Sequence, residues 1–183
     1  MHDVKGKKVL VAFASKHGST SEIARVIAEE LQAADIIVDL YDLREKTEVE
    51  NLAGYDAVIL GSAIYEGRWL PQAKHFGEQY KTALSRLPLW LFSSGPLGWD
   101  DPKPQDDPNK LAVSIGEAKV LDHQIFVGKL DLTELGFGER LLTKLVKVPE
   151  GDFRDWVKIR EWAQEIAQRL AIEVRATGSL LTK

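Results

Sequence analysis

Residues 8–31 read KVLVAFASKHGSTSEIARVIAEEL, and their pattern decides the fold. Val9, Leu10, Val11, Ala12, Phe13 and Ala14 form an unbroken apolar run, too short for a helix and rich in β-branched and aromatic residues. Such a run predicts a strand buried on both faces of a parallel sheet. Residues 15–20 are small and polar, interrupted by Gly18. Ile23, Ile27 and Leu31 then recur at i, i+4 and i+8 with Ala24 and Ala28 beside them, as on the buried face of a helix. Ser19, followed three residues later by Glu22, predicts a capping box where that helix begins.

The chain therefore runs strand, hydroxyl-rich loop, helix. Unpaired N–H groups and the positive end of the helix dipole face that loop, a setting that accommodates phosphate. Ser15, Ser19, Thr20 and Ser21 add hydroxyls, and Gly18 lets backbone come close. No Gly-Lys-Ser/Thr follows, so the loop is not of the Walker type. Its single glycine does not make a dinucleotide fingerprint. A terminal phosphate monoester, with three oxygens to bond, suits these donors. A capped turn without a ligand is the alternative at this point.

Composition removes several classes of function. The 183 residues carry a net charge of -4, which argues against a nucleic-acid binder built on a basic face. The chain has no cysteine, so disulfides, thiolate metal sites and cysteine nucleophiles are excluded, and redox work requires a bound cofactor. His2, His17, His75 and His123 are scattered without ligand spacing, so no metal site is expected. The first residues, MHDVKGKK, lack the apolar core of a signal peptide, and no apolar run is long enough to span a bilayer. The expectation is a soluble cytoplasmic protein of one domain, with its core over about 7–170 and a tail over 171–183.

Further along, residues 36–40 predict a second strand and 52–55 a short helical turn. Residues 57–60 predict a third strand stopping at Gly61 and Ser62. Pro71 opens a helix running to about residue 85, with Ala73, Phe76 and Tyr80 inward. Residues 87–92 predict a fourth strand, 99–108 an exposed loop, 109–120 a helix and 124–127 a fifth strand ending at Gly128. Residues 129–151 make an unusually long connection. Residues 153–170 form an amphipathic helix with Phe153, Trp156, Val157, Trp162, Ile166 and Leu170 on its core side. Strands alternating with helices imply an α/β fold: a doubly wound five-stranded parallel sheet in the order 2-1-3-4-5. Its ligand crevice lies beyond the C-terminal ends of the strands, where SKHGST, GSAIYEGRW and SSGPLGW all fall. A receiver domain of the same order needs acidic residues where this chain has Ala14-Ser15 and Gly61-Ser62.

The loop Ser15-Lys16-His17-Gly18-Ser19-Thr20 resembles the flavodoxin phosphate signature. The closer resemblance is to flavodoxin-domain proteins related to menaquinone-dependent protoporphyrinogen oxidase. It is carried by ASKHGST, by DAVILGSAIYEGRWLPQA, and by HQIFVGKLDLTELGFGERLL followed by DWVKIREWAQEIA. The resemblance implies the flavodoxin-like fold with an extra helical segment after the fifth strand, and FMN as cofactor. It further implies an oxidoreductase of heme biosynthesis acting on a porphyrinogen with a quinone acceptor. The alternatives are an electron carrier serving a redox partner protein, and a non-catalytic binding module.

The same resemblance implies a site. Backbone N–H groups of Lys16, His17, Gly18, Ser19 and Thr20, with the hydroxyls of Ser15, Ser19 and Thr20, hold the phosphate. Lys16 and His17 add positive charge or face solvent. A carbonyl in the second loop (Ala63, Ile64, Tyr65, Glu66, Gly67) accepts from the protonated flavin N5. The backbone of Ser94, Gly95, Pro96, Leu97 and Gly98 faces N1 and O2. Tyr65, Trp69 and Trp99 are candidate ring faces, ordinary helix-sheet packing being the alternative for each. Gly61, Gly67, Gly95 and Gly98 allow close approach to the ring, and Glu66 is a solvated carboxylate beside it. No catalytic side chain and no metal ligand is named. In residues 130–149, Leu135, Phe137, Leu141, Leu142, Leu145 and Val146 alternate with Arg140, Lys144 and Lys147. On a helix these make an apolar stripe with basic flanks. The stripe either packs on the sheet edge or docks a quinone, a porphyrin or the inner face of a membrane.

Overall fold

The computed structural model describes residues 6–65, 68–95, 115–130, 133 and 151–178. Glu66, Gly67, Pro96, Leu97, Gly98 and Trp99 lie outside the described residues, as do the loop expected over 99–108 and nearly all of the segment expected over 130–149. The strands are β1 (Lys8–Ala14), β2 (Ile37–Asp42), β3 (Ala57–Tyr65), β4 (Arg68–Trp69), β5 (Leu89–Ser94), β6 (Val120–Phe126), β7 (Lys129–Leu130) and β8 (Gly151–Asp152). The helices are α1 (Ser19–Ala33), α2 (Pro71–Gln79), α3 (Lys81–Leu84) and α4 (Trp156–Gly178).

The main sheet runs β2-β1-β3-β5-β6, all parallel, which is the predicted order with β4 as an extra strand hydrogen-bonded to β3. The central strands are apolar on both faces because each face has its own helical cover. Val9, Val11, Phe13, Ile59, Trp90 and Phe92 pack with Ile23, Ile27 and Leu31 of α1 and with Trp162 and Ile166 of α4. On the opposite face Leu10, Ala12, Val58, Leu60, Leu89 and Leu91 pack with Ala73, Phe76 and Leu84.

Several boundaries differ from the sequence expectation. β3 does not stop at residue 60: Ile64 and Tyr65 pair antiparallel with Trp69 and Arg68, so the second expected loop opens from a hairpin arm. Gly61 lies within β3, level with Phe13 on one side and Phe92 on the other, rather than in a loop. The helix from Pro71 breaks at Tyr80, which leaves helical geometry at φ -103°, ψ 14° and whose hydroxyl accepts from the Val49 N–H at 2.8 Å. Of the helix predicted over 109–120, the described residues keep helical geometry only at Ile115. Gly116 turns left-handed at φ 66° and ends it, and β6 starts at Val120. α4 continues past Leu170 to Gly178, where the sequence predicts a tail. Val157 is 64% exposed and belongs to the outer side of α4. The inner stripe is Ile159, Trp162, Ala163, Ile166, Ala167 and Leu170, which repeats every three to four residues. Among the described residues no helix is long and apolar enough to cross a membrane.

Candidate functional site

Ser15, Lys16, His17 and Gly18 connect β1 to α1. Gly18 takes φ 81°, ψ -27°, a left-handed conformation that glycine adopts without steric cost, and it is the N-cap residue of α1. No side chain caps this helix, so the expected capping box does not form. Ser19 is instead the first helical residue, and its hydroxyl accepts from the Lys129 N–H at 3.2 Å. The Glu22 carboxylate turns away to Arg154, 2.8 Å from Nη1. The first-turn N–H groups of α1 are therefore left without a side-chain acceptor, at the positive end of the helix dipole.

Ser15 is 1% exposed and its Oγ has no hydrogen-bond partner, alone in this among the buried side-chain polar atoms of the described residues. An unmade bond at a buried hydroxyl costs about 1–3 kcal/mol. A group kept at that cost, at the mouth of an uncapped helix, matches the need of an incoming polar ligand. Thr20, the second residue of the helix, is equally buried. Hydroxyls and convergent N–H groups make a donor set that fits a dianionic phosphate.

The other reversals meet this loop. Lys16 Nζ lies 4.8 Å above the Tyr65 ring, and the His17 ring is 6.0 Å from it, tilted by 56°. The end of β3 and the phosphate-type loop thus share one rim. At the end of β5, Gly95 is left-handed (φ 105°), and its N–H donates to the Phe126 carbonyl at 2.9 Å. A Cβ on Gly95 would stand 3.6 Å from the Ile64 carbonyl oxygen, and one on Gly128 would stand 3.6 Å from Ser94 Oγ. Ala63 and Ser94 are opposite each other on paired strands and both are buried. The structure therefore brings together the described residues from Ser15 to Thr20, Ala63 to Tyr65, and Ser94 to Gly95.

Two candidates fall elsewhere. Trp69 is 3% exposed, and its Nε1–H donates to Ser93 Oγ at 2.8 Å, so its ring is packing that ties β4 to β5. The same serine hydroxyl lies 2.9 Å from His123 Nε2. Gly61 serves packing too: a Cβ there would sit 2.0 Å from Phe92 Cζ.

Arg154 is the residue that motif reading missed. Its side chain is 3% exposed. Nε and Nη2 bond the two oxygens of Asp152 at 2.7 and 2.6 Å, and the guanidinium lies 4.3 Å from the Trp156 ring centre. Its hydrogen bonds hold the Asp152 carboxyl below the usual aspartate range. Nη1 also reaches the Ser19 carbonyl at 3.5 Å. The signal available in sequence was the Asp152–Arg154 spacing, since residues i and i+2 of an extended chain share a face.

A family model described as a flavodoxin domain matches residues 10–156. Protoporphyrinogen IX dehydrogenase (quinone) of Escherichia coli strain K12 is 25% identical over 178 residues, covering 87% of this chain and 94% of that protein. A probable flavodoxin 1 of Bacillus subtilis strain 168 is 29% identical over 119 residues, covering 64% of this chain and 73% of that protein. Among solved structures, oxidised flavodoxin 1 from Bacillus cereus matches with a TM-score of 0.60 at 19% identity, over 88% of this chain and 98% of that one, a likeness of fold.

Proposed function

This chain belongs to the flavodoxin-domain family, whose cofactor is FMN, and from that premise we propose that it is an FMN-dependent oxidoreductase of the protoporphyrinogen-oxidising, quinone-reducing kind. The observation that carries the flavin part is the orphaned Ser15 hydroxyl beside the uncapped start of α1. The finer reading is supported by the extent of the similarity to the Escherichia coli dehydrogenase, which runs over 87% of the chain.

In this reading the Ser15 and Thr20 hydroxyls and the N–H groups from Lys16 to Thr20 hold the phosphate. Ser19 contributes its backbone N–H and its O–H, because accepting from the Lys129 N–H leaves the hydroxyl hydrogen to donate. Tyr65 forms one wall for the flat ring. The Ile64 carbonyl and the backbone at Gly95 are assigned to read the ring's polar edge. Glu66, Gly67, Pro96, Leu97, Gly98 and Trp99, outside the described residues, are assigned to the same site from the sequence alone. When bound, FMN supplies the electron-transfer chemistry, and the protein supplies binding, orientation and exclusion of water. No side chain of this chain is assigned as acid or base.

A second reading, an electron carrier for a protein partner, is favoured by the similarity to the Bacillus subtilis protein. One experiment separates the two. The purified protein is titrated with FMN, then supplied with protoporphyrinogen and menaquinone, or with a flavodoxin-type reductase and NADPH. Oxidation of the porphyrinogen with quinone supports the enzyme. Reduction by the reductase without porphyrinogen turnover supports the carrier. A protein that stays colourless and takes up no FMN refutes both.

A further inference from the structure

Arg154 holds its charge where little water reaches it, against the Trp156 ring, and its hydrogen-bond and ion-pair partners belong to the first turn of α1 or to β8. Glu22, one of its two carboxylate partners, is in the first turn of α1. An acidic side chain there stabilises an empty helix start, but it repels a dianion bound at the same N–H groups. Asp152, on β8, is the second carboxylate. Ser19 is gripped from both framing segments: Lys129, on β7, donates its N–H to the hydroxyl, and Arg154, just past β8, reaches the carbonyl. β7 and β8 pair with each other, Lys129 opposite Asp152.

We propose that Arg154 is a positioning residue of the phosphate site, which masks the Glu22 and Asp152 carboxylates and fixes the first turn of α1, so that flavins with a phosphate are preferred over flavins without one. The proposal rests on the flavin reading above. Its physical content is electrostatic. With Arg154 in place the three side chains carry a net charge of about minus one. Without it two carboxylates, 46% and 40% exposed, face an incoming dianion, with Lys129 acting on Asp152 and solvent screening part of the repulsion. Riboflavin has the same ring and ribityl chain without the phosphate, so its binding is insensitive to that repulsion.

The test measures dissociation constants for FMN and for riboflavin, by flavin fluorescence quenching, on the wild type and four variants. Arg154→Met weakens FMN several-fold, up to about 10-fold, as for one positive charge removed near a dianion in a partly solvated setting, and leaves riboflavin within about twofold. Arg154→Lys keeps the charge and recovers part of the loss. Glu22→Gln, in the presence of Arg154, removes one negative charge and tightens FMN, again without moving riboflavin. Arg160→Met breaks the Arg160–Glu30 pair, 2.7 Å between α4 and α1, and changes neither constant. Should Arg154→Met fail to fold, Glu22→Gln and Arg154→Lys carry the test. Parallel loss of FMN and riboflavin in the Arg154 variants would show a structural role and overturn the assignment. Unchanged or weaker FMN binding in Glu22→Gln would also overturn it. A wild type that binds neither flavin refutes the cofactor reading itself, and this assignment falls with it.

Discussion

Gly61→Ala probes the packing that lets β3 and β5 lie side by side at the rim. In register, Gly61 stands between Phe13 of β1 and Phe92 of β5. The Phe92 ring covers the glycine: a methyl group would lie 2.0, 2.1 and 2.6 Å from Cζ, Cε1 and Cε2. Carbon atoms rest at roughly 3.5–4.0 Å, so the ring must withdraw by about 1.5 Å. It has little room to do so. Phe92 is fully buried, with ring centres 6.4 Å from Phe126 and 6.2 Å from Trp162. Overpacking of a filled core costs about 1–3 kcal/mol, and the blocked retreat puts this site at the upper end. For a chain of this size each kcal/mol lowers Tm by about 2–4 °C, so the expected drop is about 6–12 °C. Urea unfolding should show a lower midpoint at unchanged m value. The double change Gly61→Ala with Phe92→Leu should recover more than the sum of the single effects allows, because the two side chains share one space. A Gly61→Ala protein with a midpoint within about 0.5 kcal/mol of wild type would refute the packing argument, since surface-like tolerance is incompatible with the geometry.

Ser15→Ala should act with opposite signs on stability and binding. It removes a buried hydroxyl that makes no bond, so the flavin-free protein becomes about 1 kcal/mol more stable in thermal melts, while FMN binds more weakly in titration. Trp69→Phe deletes the bond to Ser93 and should cost about 1 kcal/mol in urea unfolding. Acid should destabilise the protein through Asp152, lowered by its bonds to Arg154, Asp39, lowered by its bonds to Lys8 and Tyr55, and Glu30, lowered by its bonds to Gln164 and Arg160. Their folded pKa values lie below the ordinary 3.8 for aspartate and 4.5 for glutamate, so the unfolded chain binds more protons in that interval. The stabilisation is complete above those ordinary values and is lost as pH falls through the lowered ones. Urea midpoints measured from neutral pH downward should fall there, and a midpoint that rises on acidification would contradict the sign.

The architecture and the phosphate-type loop were legible in the sequence alone. Val9 to Ala14, Ala57 to Leu60 and Leu89 to Phe92 are apolar without alternation, and only strands covered on both faces want that pattern. Given such strands and the helices between them, handedness and short connections leave a few orders, of which 2-1-3-4-5 is the natural one for five strands, and it carries SKHGST and the later loops to a common edge. These inferences need only local composition and chain connectivity. What tertiary structure decided was which polar groups already have partners. Ser19 and Glu22 have the spacing of a capping box, yet Lys129 and Arg154, more than a hundred residues away, take both side chains. Trp69 and Gly61 look from sequence like loop residues near a ligand, but Ser93 and Phe92 on β5 claim them for packing. Ser15 reads like any of its serine neighbours until the surrounding chain buries it and offers no partner. A hydrogen bond or a ring contact depends on positions within a few tenths of an ångström between segments remote in the chain. Residue order specifies which segments meet, and the folded packing alone settles which donors and acceptors remain for a ligand.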